Sequence, residues 1–248
     1  LGIVSDDKTV IDDFSLELAT DDIGLVTGPS GSGKTALGLA CCGLLGAFGD
    51  EAVLTGAVSL FGSRVVQGQL APQTGVVLEN PYAQVSGMKR TVAGELAFSL
   101  ECRGLPTDEI TRRTARMLDR LGLARVGDHA LDTLSGGELA RTIIGAVLIT
   151  EPRFLVLDRP LTELDPSFRD TLIDSIRRHV VSMNGAALIA EDPWLLGDSA
   201  FEREIALDNH AGVSGPPEPL PIVRTTGTGR PVLRVEHLSF SYEPDEPL

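Results

Sequence analysis

The sequence predicts an α/β fold: a mixed sheet flanked by helices, with a helical subdomain and an antiparallel β portion. Three observations carry this expectation. A glycine-rich loop at 28–35 lies between an apolar strand-like run and a mostly apolar helix-like run. A second apolar run, Phe154 to Asp158, follows a long helical section and ends on a carboxylate. Short runs at 9–18 and 56–66 carry the alternation and turn signals of strands with one buried face.

Taken in order, Thr9 to Leu18 alternates towards its end as a half-buried strand does, and Ile23 to Thr27 reads as a buried strand. The loop that follows, Gly28-Pro29-Ser30-Gly31-Ser32-Gly33-Lys34-Thr35, fits the phosphate-binding pattern G-x-x-x-x-G-K-[ST] at every fixed position. Glycines let backbone N–H groups close around phosphate oxygens, and the helix start adds partial positive charge. Lys34 is expected to reach the β- and γ-phosphates, and the Thr35 hydroxyl to hold Mg²⁺. The bland alternative is a glycine-rich turn before a helix. The strand before and the helix Ala36 to Leu45 behind favour a nucleoside triphosphate site.

Gly56 to Val66 suggests short strands with a turn at Gly62-Ser63, and Gly75 to Leu78 a buried strand that delivers Glu79, Asn80 and Pro81. Thr91 to Arg103 has helical spacing and ends before Gly104 and Pro106. Thr107-Asp108-Glu109 starts a second helix to about Leu121. Leu134 to Glu138 precedes a third, Leu139 to about Thr150. Helix Pro166 to about Val181, strand Ala186 to Ala190 and a strand at Ile205 to Leu207 complete this section. Residues 211–231, rich in Gly, Pro and Thr, read as a linker. The strand-like run 232–242 is expected to open a second domain covering 232–248, or to cover an edge left by residues 1–4.

The 248 residues carry 21 basic and 35 acidic side chains, a formal charge of -14. That balance argues against sequence-independent nucleic-acid binding, which needs basic stripes, and otherwise serves solubility. No run approaches the roughly 18 apolar residues of a membrane span, and the first residues lack the basic start of a signal peptide. The missing initiator Met suggests a piece of something longer. Cys41, Cys42 and Cys102 have no zinc spacing and no disulfide framework, which suits a reducing compartment, and the first two read as core. His129, His179, His210 and His237 show no ligand spacing and read as surface or loop residues. Trp194 reads as packing at a helix start.

Together these motifs resemble the ATP-binding cassette (ABC) ATPases over about 1–210, with the helical subdomain near 85–150. Leu134-Ser135-Gly136-Gly137-Glu138 matches the family signature L-S-G-G-[QE], with Arg141 on the helix behind it. Phe154 to Asp158 matches the Walker B strand, whose Asp helps hold Mg²⁺. Leu164-Asp165 matches the end of the D-loop. Asn80-Pro81-Tyr82-Ala83-Gln84 and Thr91 to Phe98 look like the corresponding stretches of energy-coupling-factor importer ATPases. That resemblance implies ATP and Mg²⁺ as cofactors and a second ABC cassette, fused or dimeric. It also implies a transmembrane coupling subunit, a substrate-binding membrane protein, and a place at the cytoplasmic face of the membrane. In such proteins the segment Tyr82 to Met88 faces the membrane subunit. Leu238 to Tyr242 looks like the opening of a second cassette, with Tyr242 at its adenine-stacking position.

Four departures from the family pattern bear on mechanism. Arg159 stands where the family has the Glu that activates water, and a guanidinium is no base at neutral pH. Glu79 replaces the Gln that senses Mg²⁺ and γ-phosphate, although it offers a tentative Mg²⁺ ligand beside Thr35 and Asp158. Glu191 replaces the switch His. Val4 or Ser5 occupies the adenine-stacking position. The expectation is that Arg159 balances Glu79 and Glu191, so that this site holds ATP with little hydrolysis. Ser135, Gly136 and Gly137, at a helix start, would then close over ATP held by the partner cassette. The alternatives are a non-transport ABC ATPase of the translation-factor or DNA-repair kind, and a purely regulatory ATP-binding module.

Overall fold

The protein is described by a computed structural model covering residues 4–5, 8–9, 11, 13–47, 52–192, 195, 201, 203–207 and 229–242. Two short bridging strands, β1 (Val4–Ser5) and β2 (Lys8–Thr9), precede β3 (Phe14–Ala19) and β4 (Ile23–Thr27). Helix α1 (Lys34–Cys42) leads to β5 (Ala52–Leu60), β6 (Ser63–Arg64) and β7 (Thr74–Val77). Helices α2 (Val92–Cys102), α3 (Thr107–Arg120) and α4 (Gly136–Leu148) follow, then β8 (Phe154–Asp158), α5 (Pro166–Met183), β9 (Ala186–Ala190), β10 (Arg203–Ala206) and β11 (Pro231–Tyr242).

Five strands form a parallel sheet in the order β10-β4-β9-β8-β7, and four form an antiparallel sheet in the order β3-β11-β5-β6. Strands β4, β8 and β9 are buried at every position, which is why they read as continuous apolar runs and not as alternation. Their side chains still divide by parity. Val26, Phe154, Val156 and Leu188 join α1 and the antiparallel sheet in one core, whereas Ile23, Leu25, Leu155, Leu157 and Ile189 join α2, α4 and α5 in another. Helix α1 is thus clamped between two sheets. At Gly38 a Cβ would sit 2.8 Å from Val156 Cγ1, so glycine sets how closely α1 approaches β8.

Each expected strand and helix within the described residues is present, with shifted boundaries. The third helix begins at Gly136 and not at Leu139, because Ser135 caps it: the Ser135 hydroxyl accepts from Glu138 N, and Glu138 reaches back to Ser135 N. Helix α5 ends at Met183, two residues beyond the expected Val181, with Asn184 capping it in the left-handed region. Cys41 and Cys42 are core residues, as read from sequence. His179 is a correction to the surface-or-loop reading: it is buried on α5, with Nε2 against the Pro152 carbonyl at 2.8 Å.

Residues 231–242 form strand β11. This segment lies between β3 and β5, with Val235 opposite Leu16 on one side and Val58 on the other. Val232, Leu233 and Val235 are buried in the core that contains α1. The run therefore forms an interior strand of this domain's sheet, against the edge that β3 presents. Most of the expected linker, His210 and Trp194 lie outside the described residues, as do the side chains of Val4, Ser5 and Tyr242.

Candidate nucleotide-binding site

Four neighbouring parallel strands, β4, β9, β8 and β7, end on the same edge of the sheet, where α/β folds place their ligands. Their continuations are the glycine loop, Glu191, Asp158 with Arg159, and Glu79. The register holds them side by side: Asp158 pairs with Ala190, and Val26 pairs with Ala190 from the other side.

The glycine loop is built tightly. Gly28 has φ +147, and a Cβ there would lie 2.2 Å from the Leu207 carbonyl oxygen and 2.6 Å from Ser32 Oγ. Gly33 caps α1 at φ +93, a conformation side chains rarely adopt. Lys34 Nζ donates to the carbonyls of Gly28 at 2.5 Å and Pro29 at 3.0 Å, so the buried ammonium closes the loop on itself. Thr35 Oγ1 donates to Asp158 Oδ2 at 2.6 Å. Among the described residues, Asp158 Oδ1 and Ser32 Oγ are buried polar atoms with no partner. Orphaned buried oxygens beside a lysine and a glycine loop are what Mg²⁺ and phosphate would satisfy. Burial pushes the Asp158 carboxyl above its usual range; the Thr35 hydrogen bond opposes this and the Glu79 charge adds to it.

Arg159, at φ +49, sits in the left-handed region that is strained for its side chain. Its guanidinium donates to Glu79 Oε1 at 2.9 Å and to Asp192 Oδ2 at 2.8 Å. Glu79 is thus engaged by Arg159, and among the described residues no three His, Cys, Asp or Glu side chains gather into a protein-only metal cage. Glu191 feels the Arg159 charge but makes no direct ion pair with it. Glu191 is fully buried and accepts from Leu161 N and Asp192 N, both at 2.9 Å, so Asp192 is the second ion-pair partner. Two backbone donors hold the Glu191 carboxylate inward. Burial nonetheless raises its pKa. Sequence reasoning missed Asp192, although its place two residues after a buried strand was a usable signal.

The signature Leu134–Glu138 forms the start of α4, not part of this strand-edge cluster. Ser135 is exposed, and its hydroxyl donates to Glu138 Oε2 at 2.8 Å. That bond and the Ser135 N–H hold the Glu138 carboxyl below its usual range, the backbone donor contributing most. A Cβ at Gly136 would meet Glu163 Oε2 at 2.8 Å, so the glycine lets the loop after β8 approach the helix start. Side chains also anchor the surface segment that follows β7. Gln84 copies a strand partner, accepting from Leu78 N and donating to the Val76 carbonyl. Glu95 accepts from Ser86 N and Oγ, both at 2.7 Å. The segment so anchored presents Tyr82 and Met88, which are 63% and 69% exposed.

Residues 11–162 match the ABC transporter family description. A putative ABC transporter ATP-binding protein of Methanosarcina acetivorans is 36% identical over 199 residues, 79% of this chain and 31% of that protein. An energy-coupling factor transporter ATP-binding protein of Thermotoga maritima is 33% identical over 197 residues, 79% of this chain and 73% of its own length. A putative HMP/thiamine import ATP-binding protein of Bacillus subtilis is 33% identical over 213 residues, covering 82% of this chain and 37% of the relative. The chain thus spans about a third of the Methanosarcina and Bacillus proteins. A glycine loop, a Thr35–Asp158 bond and a capped signature helix on a parallel sheet agree with these matches: the chain belongs to the ATP-binding family of ABC transporters.

Proposed function

We propose that this domain holds MgATP at a hydrolysis-impaired site and lends its signature helix to a partner cassette within an energy-coupling-factor-like importer. Arg159 carries the reading. The position after Asp158 holds a guanidinium clamped by Glu79 and Asp192, and the neighbouring Glu191 carboxylate is committed to two backbone N–H groups. The guanidinium that follows Asp158 cannot take a proton from water at neutral pH, and loss of a general base lowers rates by roughly 10²–10⁴-fold. Lys34 would exchange the Gly28 and Pro29 carbonyls for phosphate oxygens. Thr35 and the unpartnered Asp158 Oδ1 would hold Mg²⁺, which neutralises phosphate charge when bound.

Ser135 and the backbone N–H groups of Gly136 and Gly137 crown an exposed helix start, suited to γ-phosphate brought by a second cassette. That cassette is either fused to this domain or a separate chain. The exposed Tyr82 and Met88 on their anchored segment suit docking to a transmembrane coupling subunit, which would pair with a substrate-binding membrane protein at the cytoplasmic face. The similarity to the Bacillus putative import ATP-binding protein supports import, and that to the Thermotoga protein supports an energy-coupling-factor transporter. No helix among the described residues is long and apolar enough to cross a membrane.

The test is single-turnover ATP hydrolysis by the assembled protein with its second cassette. Ser135→Arg should abolish turnover, whereas Lys34→Ala should leave most of it, with unhydrolysed ATP recovered from the wild-type site. Equal loss in both variants, with ADP recovered from this site, would overturn the asymmetric assignment.

A further inference from the structure

We propose that the cavity between α3 and the C-terminal end of α5 binds a small phosphate monoester bearing a short apolar substituent. The cavity has a volume of about 270 Å³ and is separate from the glycine loop. Arg113, Arg116 and Arg120 line one wall, and Met117 and Ile149 lie among them. The spacing 113, 116, 117, 120 places all four α3 residues on one helical face. In a chain where acidic residues outnumber basic ones by 35 to 21, three guanidinium groups around one hollow need an explanation.

Among the described residues, two of those charges lack a carboxylate. Arg113 is neutralised by Glu109 at 2.6 Å and Glu151 at 2.9 Å, which also accounts for the one carboxylate lining the cavity. Arg120, half-buried, donates to the hydroxyl and carbonyl of Ser175, neither of them charged, and has no ion pair among the described residues. Burial, and then the nearby Arg178, work against its positive charge. Arg116 donates to the Arg112 carbonyl at 3.4 Å and has no ion pair among the described residues. His179, also lining the cavity, is kept neutral by burial and spends Nε2 on the Pro152 carbonyl. Unbalanced guanidinium charge in a partly desolvated hollow is unfavourable until an anion enters. Planar guanidinium forks match a tetrahedral phosphate, whose three oxygens and up to two charges suit both arginines together. Met117, Ile149 and the neighbouring Leu148 and Met183 offer an apolar lining for a short alkyl or similar group.

The probe is hexyl phosphate, titrated calorimetrically into the full chain carrying Lys34→Ala, which removes the phosphate loop as a competitor. Saturable one-to-one binding is expected, weakened roughly tenfold or more by Arg116→Glu and by Arg120→Gln. Arg116 is exposed, so its substitution leaves folding intact, and Gln at 120 keeps a donor for Ser175. Hexanol should not bind. Absence of saturable binding, or unchanged affinity in both arginine variants, would overturn the proposal. Phosphatidylcholine vesicles doped with phosphatidic acid separate the sources. Vesicle binding lost with Arg116→Glu assigns the phosphate to a lipid headgroup; hexyl phosphate binding without vesicle binding assigns it to a soluble metabolite.

Discussion

Replacing Arg159 by Gln removes one positive charge from the strand-edge cluster while keeping a hydrogen-bond donor. Its effects on folding and on nucleotide can be worked out separately. Glu79 is 54% exposed, so its pair with Arg159 counts as a surface ion pair, roughly 0–1 kcal/mol. Asp192 is 14% exposed, and loss of its partner costs about 1–2 kcal/mol. Folding stability should therefore fall by about 2 kcal/mol in urea titration. MgATP carries net negative charge near -2. At about 8 Å and an effective dielectric near 20, each unit pair is worth about 2 kcal/mol, a total of about 4 before screening. Solvent and salt at an open site reduce this to about 1–2 kcal/mol, so equilibrium binding should weaken about 5- to 30-fold at low ionic strength and less at high. Arg159→Gly loses the same charge but relieves the left-handed backbone, and should recover about 1 kcal/mol of stability without recovering affinity. If Arg159→Gln binds MgATP as tightly as wild type at low salt, Glu79 and Asp192 already consume the guanidinium charge and the electrostatic reasoning fails.

Other expectations follow from single contacts. Ser135→Ala should cost about 1 kcal/mol through the lost cap, whereas Ser135→Asn should hold stability, and thermal unfolding of the two variants separates capping from the signature's role towards a partner. Gly28→Ala forces a Cβ against the Leu207 carbonyl at an unfavourable φ, so ATP binding should disappear in equilibrium dialysis; retained binding would mean the loop can rebuild. Burial raises the Asp158 pKa, so in the metal-free protein the cost of its ionisation is absent below about 3.8 and complete above the raised value. Asp158→Asn without Mg²⁺ should therefore gain melting temperature at neutral pH, and the gain should vanish as pH falls towards 3.8. Leu233→Ala should cost about 2–5 kcal/mol if β11 is an interior strand of this domain, and almost nothing to the rest of the chain if the segment folds apart.

What could be read from the sequence was local. The glycine loop, its strand and helix, and the carboxylate at the end of Phe154–Asp158 all lie within a few residues of their determinants. Backbone conformation, burial pattern and capping chemistry write themselves into such short windows. Non-local choices were not legible. The partner of Arg159 depends on which carboxylate is released by neighbouring backbone donors, and Leu161 N and Asp192 N claim Glu191, leaving Asp192 to the guanidinium. The slot of Pro231–Tyr242 between Phe14–Ala19 and Ala52–Leu60 depends on pairing across more than 170 residues, which no periodicity records. Arg113, Arg116 and Arg120 read as an ordinary charged helix face until α5 packs beside them and removes water from one side. The sequence alone determined which backbone elements form and which of them carry phosphate chemistry. Tertiary structure alone decided how charges pair and which surfaces become cavities, because Coulomb partners and desolvation are set by distances in space and not along the chain.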